Sequence, residues 1–443
     1  MSEVATAGVG APVALAVDAL LDDPETRIVV CCGAGGVGKT TTAAALGLRA
    51  AERGRRVVVL TIDPARRLAQ SMGIDSLDNT PRRVEGVPGA GELHAMMLDM
   101  KRTFDEIVEA HADGERARAI LDNPFYKSLS AGFAGTQEYM AMEKLGQLRA
   151  RDDWDLIIVD TPPSRSALDF LDAPKRLGSF LDGKFIRVLM APAKVGGRAG
   201  LKFLNVGMSL MTGTLSKLMG ASLLKDVQTF VAAMDTMFGG FRTRADATYR
   251  LLQAPGTAFL VVAAPEPDAL REAAYFVERL AEERMPLAGL VLNRVHGSGA
   301  AQLSAERALA AAENLEEGCI VDQEAGKAGL RDSGADTPPA ADGITVDGTT
   351  ADRTTADGTT ADEMTTDEMT ADEITAGLLR LHAERMQVIA REQRTRDRFA
   401  SLHPEVAVAE VAALPGDVHD LAGLRAIGDR LAAAGSRPAG DVV

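Results

Sequence analysis

Residues 27–41 read RIVVCCGAGGVGKTT, and this stretch decides the fold. Five apolar residues in a row, Ile28 to Cys32, suit a strand covered on both faces, because a half-solvated strand would alternate. The glycines that follow mark a tight turn. Lys39 to Arg53 then spaces Ala and Leu as a helix does, up to Gly54, a helix stop. Similar short, mainly apolar runs recur at Val57–Ile62, Leu93–Leu98, Asp155–Val159, Ala258–Ala264, Leu287–Val295 and Val406–Val411. Buried strands alternating with helices predict an α/β protein built on a doubly wound, mainly parallel sheet.

The turn itself, Gly33-Ala34-Gly35-Gly36-Val37-Gly38-Lys39-Thr40, has the spacing G-x-x-x-x-G-K-[ST] between a strand and a helix. Glycines there let backbone N–H groups curl around phosphate oxygens, and the following helix directs its positive end at them. Lys39 suits the β- and γ-phosphates, Thr40 offers a hydroxyl to Mg²⁺, and Thr41 begins the helix in reach of the α-phosphate. Gly-rich turns also join strands to helices for packing alone, but here the lysine, the hydroxyl and both flanking elements agree on a nucleotide. Asp160 ends DLIIVD, where it either helps Thr40 hold Mg²⁺ or caps the turn that follows. Asp63, in TIDPA, also ends a strand. It either orients or deprotonates an attacking water, or starts an Asp-Pro turn.

The 443 residues are 46% apolar, enough for a large core, with 48 Lys and Arg against 63 Asp and Glu for a formal charge of −15. Residues 333–376 hold eleven of those acids and one arginine, so the rest of the chain is only mildly acidic and has no basic stripe for nucleic acid. The same segment repeats TTADG-like units whose Thr, Asp and Gly cannot bury enough surface to order themselves, which predicts a disordered acidic insertion. Residues 1–25, rich in Ala and Gly, read as a flexible amino-terminal arm. The nucleotide-binding body is then expected over 26–332 and 377–436, with a helical subdomain at about 101–150 and 175–252. The second helical stretch carries Met190, Met208, Met211, Met219, Met234 and Met237. Three cysteines, two adjacent, exclude a disulfide scaffold and a four-cysteine zinc site within one chain, and the start lacks a secretory signal pattern. A reducing, cytoplasmic setting is the expectation.

These motifs resemble those of the ArsA family of P-loop ATPases, with its deviant Walker A loop. That family includes the arsenical-pump ATPase subunit and the eukaryotic targeting factor for tail-anchored membrane proteins. The resemblance rests on GAGGVGKTT from 33, TIDPARRL from 61 and IIVDTPPSRSALDFLDAP from 157. It continues in AAPEPDALREAAYFVERL from 263, LVLNRV from 290 and ALPGDVHDL from 413. It implies ATP as ligand, Lys39 and Thr40 on phosphates and Mg²⁺, Asp63 positioning the lytic water and Asp160 opening a second switch. It also implies that Glu266 and Asn293 bind nucleotide, that the Asn293 amide reads the adenine edge, and that Leu414 and Pro415 lie against the ring. Judged on residues alone, Asn293 is a strand-end turn residue and Glu266 a helix-start carboxylate.

Three departures from the family pattern stand out. Ala34 replaces the lysine that would reach a dimer partner's phosphates. Arg165 stands where a glycine is expected in the second switch, and Arg66 where a histidine is expected in the first. Either arginine is a candidate for the missing transition-state charge, with surface salt-bridging as the alternative. No C-x-x-C pair is present for a structural zinc clasp, nor the arsenical-pump cysteine trio. The reading that results is Mg²⁺-dependent ATP hydrolysis driving a nucleotide-dependent conformational switch, in a homodimer because one P-loop is present. The alternative is a carrier that shields apolar membrane-protein segments in the Met-bearing region, and a third reading couples the ATPase to a membrane anion transporter.

Overall fold

The computed structural model describes residues 13–62, 66–124, 126–127, 136–162, 243–325 and 370–435. Asp63, Arg165, the Met-bearing stretch up to residue 242 and most of the acidic repeat lie outside these residues, as does the side chain of Arg66.

The chain runs α1 (Val17–Asp22), β1 (Ile28–Gly33), α2 (Lys39–Glu52), β2 (Arg56–Thr61), α3 (Arg66–Ser71), β3 (Arg82–Arg83) and β4 (Glu92–Met97). It continues through α4 (Met100–His111), α5 (Gly114–Leu121), α6 (Thr136–Arg151), β5 (Leu156–Asp160), β6 (Thr257–Ala263) and α7 (Pro267–Glu282). Last come β7 (Leu287–Val295), α8 (Ala305–Ala325), α9 (Ala371–Leu402), β8 (Val408–Ala412) and α10 (Leu421–Gly435). Eight strands form one sheet in the order β3-β4-β2-β5-β1-β6-β7-β8, parallel except for the short edge strand β3.

Every residue of β1, β5 and β6 is buried, which is why these segments read as unbroken apolar runs. Alternate side chains serve opposite faces. Ile28, Val30 and Cys32 join Leu60, Val159, Tyr139 and Phe276 in one core, beneath α4, α6 and α7. Val29 and Cys31 join Val59, Ile158, Leu46 and Leu424 in the other, beneath α2 and α10. Burying one such leucine completely contributes about 1.5–3 kcal/mol. Register then sets up the site, since Cys31 and Thr61 both lie opposite Asp160 and the ends of β1, β2 and β5 converge.

Of the flexible arm expected over residues 1–25, residues 1–12 lie outside the described residues and the remainder is not loosely held. Residues 13–25 are part of the body: Val13 and Leu15 exchange backbone hydrogen bonds with Val408, and α1 buries Val17 and Leu21 completely. Arg49 holds Asp18 through two hydrogen bonds of 2.5 and 2.8 Å, and Arg53 holds Asp22. Small residues on either side disguise this packing in the composition.

The helix expected from residue 376 starts at Ala371, inside the last unit of the acidic repeat. Thr370 and Glu373 form a reciprocal cap, the Glu373 N–H on the Thr370 hydroxyl at 3.2 Å and the Thr370 N–H on the Glu373 carboxylate at 2.7 Å. The described residues between 297 and 390 belong to a unit of their own, where the sequence suggested one ATPase body interrupted only by the repeat. Within that unit Arg380 pairs with Glu316 at 2.5 Å, the His382 ring meets the Leu303 carbonyl at 2.8 Å and Arg385 donates to the Gly297 carbonyl at 2.7 Å.

Candidate functional site

The loop from Gly33 to Gly38 follows β1 and ends as α2 begins. Gly33, Gly36 and Gly38 have φ of +147°, +77° and +96°, the left-handed side on which a side chain is strained. At Gly33 a Cβ would also sit 2.0 Å from the Val262 carbonyl oxygen, so the loop lies directly on β6. Gly38 caps α2, and the first-turn N–H groups of a helix, which lack intrahelical partners, form its positive end.

Lys39 is only 6% exposed, and its ammonium donates to the Ala34 carbonyl at 2.7 Å, arching over the loop. Thr40, one residue on, donates its hydroxyl to Asp160 Oδ2 at 2.7 Å, and Thr61 at the end of β2 donates to the same oxygen at 2.9 Å. Asp160 is fully buried. The Thr161 hydroxyl donates to the Cys31 carbonyl at 2.9 Å, and the Ile62 N–H to the Asp160 carbonyl at 3.0 Å, so the strand ends are stitched together. On α6, Gln137 Nε2 donates to the Ile62 carbonyl at 3.0 Å, one residue before Asp63.

A cavity of about 590 Å³ opens beside the loop, lined by Gly38, Thr40 and Thr41 and by Asn293, Leu414 and Pro415. Asn293 is 7% exposed, and its Nδ2 donates to the Val37 carbonyl at 2.8 Å. Glu266 is not among the residues lining this cavity; it caps α7 from an exposed position, with no side-chain hydrogen bond to the helix. The sequence reading missed Gln70, Arg294, His296 and His419, which line the same cavity. Arg294 adopts φ +61°, a left-handed conformation uncommon for a side-chain-bearing residue. His296 Nδ1 lies 2.5 Å from Glu392 Oε1, and its backbone N–H donates to Oε2 at 3.0 Å. Arg294 and His419 fall inside the stretches LVLNRV and ALPGDVHDL, where no role was assigned to them, and no local motif announces Gln70 or His296.

Cys31 and Cys32 are buried strand residues, and burial pushes both thiols up, Cys32 to about 12.

Residues 26–317 match the family model described as anion-transporting ATPase. The chain is similar to an ATPase GET3 of Podospora anserina, at 26% identity over 295 residues, covering 65% of this chain and 80% of that protein. It is similar to a putative arsenical pump-driving ATPase of Halobacterium salinarum at 29% identity, covering 39% of this chain and 27% of that one. An ATPase GET3 of Malassezia globosa matches at 29% identity over 158 residues, covering 36% of this chain and 45% of its own. The chain thus spans between about a quarter and four fifths of the length of these relatives.

Proposed function

The chain belongs to the anion-transporting ATPase family, and from that premise we propose that it hydrolyses ATP to ADP and phosphate and uses the nucleotide state to switch its helical region. The observation that carries this reading is the convergence of Lys39, Thr40 and Asp160 at the mouth of the glycine loop, with Thr40 Oγ1 2.7 Å from Asp160 Oδ2.

The site fits the magnesium ion that the family implies. Thr40 and Asp160 present only oxygen donors, the chemistry that a small hard cation requires. Thr40 would hold the ion by its hydroxyl and Asp160 by its carboxylate, and the ion when bound supplies positive charge beside the β- and γ-phosphates. The loop N–H groups and the Lys39 ammonium stabilise the charge that develops on the transferred phosphoryl oxygens. Asp63, next after Ile62, is assigned to orient the attacking water. The Gln137 bond to the Ile62 carbonyl supports a mechanical link between that position and α6. One phosphate loop per chain makes a homodimer the unit that opens and closes.

The work driven by this cycle is assigned to a protein partner rather than to an arsenical. Trivalent arsenic prefers thiolates, and the two described thiols are buried and held protonated. ATP turnover with magnesium, measured on the wild type and on Lys39→Ala, tests the function. The wild type should turn over, and the variant should lose at least about 100-fold, the scale on which a preorganised electrostatic partner acts. Wild-type protein with no turnover and no ATP binding would overturn the reading.

A further inference from the structure

We propose that Asn293 is a positioning residue that holds the phosphate loop in its anion-gripping shape, whatever contact it also makes with a base; the inference rests on the nucleotide reading above. Asn293 belongs to β7, and β6 lies between β7 and the loop-bearing β1. Its carboxamide nevertheless reaches back to the loop, with Nδ2 2.8 Å from the Val37 carbonyl oxygen. The contact is intimate. A Cβ on Gly38 would lie 2.3 Å from that nitrogen, so residue 38 must lack one for packing as well as for its φ of +96°. The other end of the amide is fixed too, because Oδ1 accepts the Arg294 N–H at 3.0 Å within the left-handed turn at Arg294.

The consequence follows from peptide geometry. In a planar trans peptide the C=O and the next N–H point in opposite directions. Anchoring the Val37 carbonyl on Asn293 therefore turns the Gly38 N–H away from Asn293 and keeps a repulsive carbonyl oxygen out of the anion's place. A carboxamide has two N–H donors and two acceptor lone pairs, so clamping the loop and touching a base are compatible. Asn293 both lines the cavity and holds the loop, whereas a residue that only read the base would leave the phosphate cradle untouched.

Calorimetry with magnesium–ATP and with magnesium–tripolyphosphate, which has the phosphates and no base, separates the two roles. Asn293→Ala is expected to weaken both ligands by a similar factor, about five- to tenfold for one buried hydrogen bond. Hydrogen exchange of the ligand-free peptide spanning the loop should rise in the same variant. Asn293→Asp keeps the acceptor for the Arg294 N–H but faces Val37 with an oxygen, and should raise loop exchange likewise if the alanine variant does not fold. A residue important only for folding would lower the melting temperature and leave the tripolyphosphate affinity of folded protein alone. Unchanged tripolyphosphate binding beside weakened ATP binding, or unchanged loop exchange in both variants, overturns the clamp. Wild-type protein that binds neither ligand overturns the nucleotide reading itself, a different result from either of these.

Discussion

The Thr40 hydroxyl donates to Asp160 Oδ2 at 2.7 Å, joining the first turn of α2 to the end of β5 across 120 residues of sequence. Thr61 donates to the same oxygen from the other side at 2.9 Å. Only the first of these hydroxyls sits beside the phosphate loop, so the two threonines should separate in their effect. Asp160→Asn and Thr40→Ala should each raise the magnesium concentration for half-maximal ATP turnover by at least about tenfold and lower kcat by about 100-fold. Thr61→Ala removes one orienting hydrogen bond and should cost less than about tenfold. Magnesium titrations of turnover decide it, and equal effects from Thr40 and Thr61 would assign the pair a purely structural role.

Arsenite and antimonite should leave turnover unchanged. Cys31 is fully buried on β1 and Cys32 is 3% exposed, with its Sγ 3.6 Å from the Leu260 carbonyl inside the sheet. Desolvation favours the neutral thiol at both. A metalloid that prefers thiolates has no accessible pair there. Turnover measured with and without micromolar arsenite tests this, and stimulation abolished by Cys31→Ser would contradict it.

The strands were legible because a sheet covered on both faces needs continuous apolar runs, and each expected run lies within two residues of its strand. The glycine loop was legible for a different reason, that its chemistry demands positive φ at Gly36 and Gly38. Other features left no such mark. Strand β3 is only Arg82 and Arg83, too short and too exposed for any pattern. The packing of α1 depends on Leu15, Val17 and Leu21 meeting partners distant in sequence, which composition cannot reveal. The start of α9 did leave a signal, Thr370-x-x-Glu373, but one disguised within a repeat of Thr and acidic residues. Gln70, Arg294, His296 and His419 also line the cavity, and they come from three stretches, around 70, 294–296 and 419, that no local spacing relates.

Glu143 on α6 should matter to stability more than its surface-like chemistry suggests. Its side chain is 4% exposed, Oε1 accepts from Arg244 Nε at 2.8 Å and Oε2 accepts from the Tyr139 hydroxyl at 3.3 Å. Glu143→Ala removes the partner of a part-buried guanidinium and of a buried phenol together, at a cost of about 2 kcal/mol. Arg244 keeps 27% exposure, which holds the cost at the low end for a buried pair. Urea unfolding measures it. The double variant Glu143→Leu with Arg244→Met, which strands no charge, should recover much of the loss, and a double variant as unstable as the single would refute the account.

His94 should make the protein less stable as the solution turns mildly acidic. Its Nδ1 is buried with no hydrogen-bond partner, and its ring lies 4.7 Å from that of Trp154. Burial is the main cause that lowers its pKa below the ordinary 6.5, with Arg83 adding to it and Glu92 opposing. The unfolded chain therefore binds the proton more readily than the folded one, so stability is full above pH 6.5 and declines as pH falls below it. The arginine-held carboxylates behave otherwise. Hydrogen bonds from Arg49, Arg53, Arg82 and Arg56 hold Asp18, Asp22, Asp78 and Asp155 below 3.8, so their contribution persists until pH falls under that value. Thermal unfolding between pH 7 and 5 should thus show a falling midpoint that His94→Phe, which keeps the contact with Trp154, flattens. Parallel pH profiles for wild type and variant across that window would place the proton elsewhere.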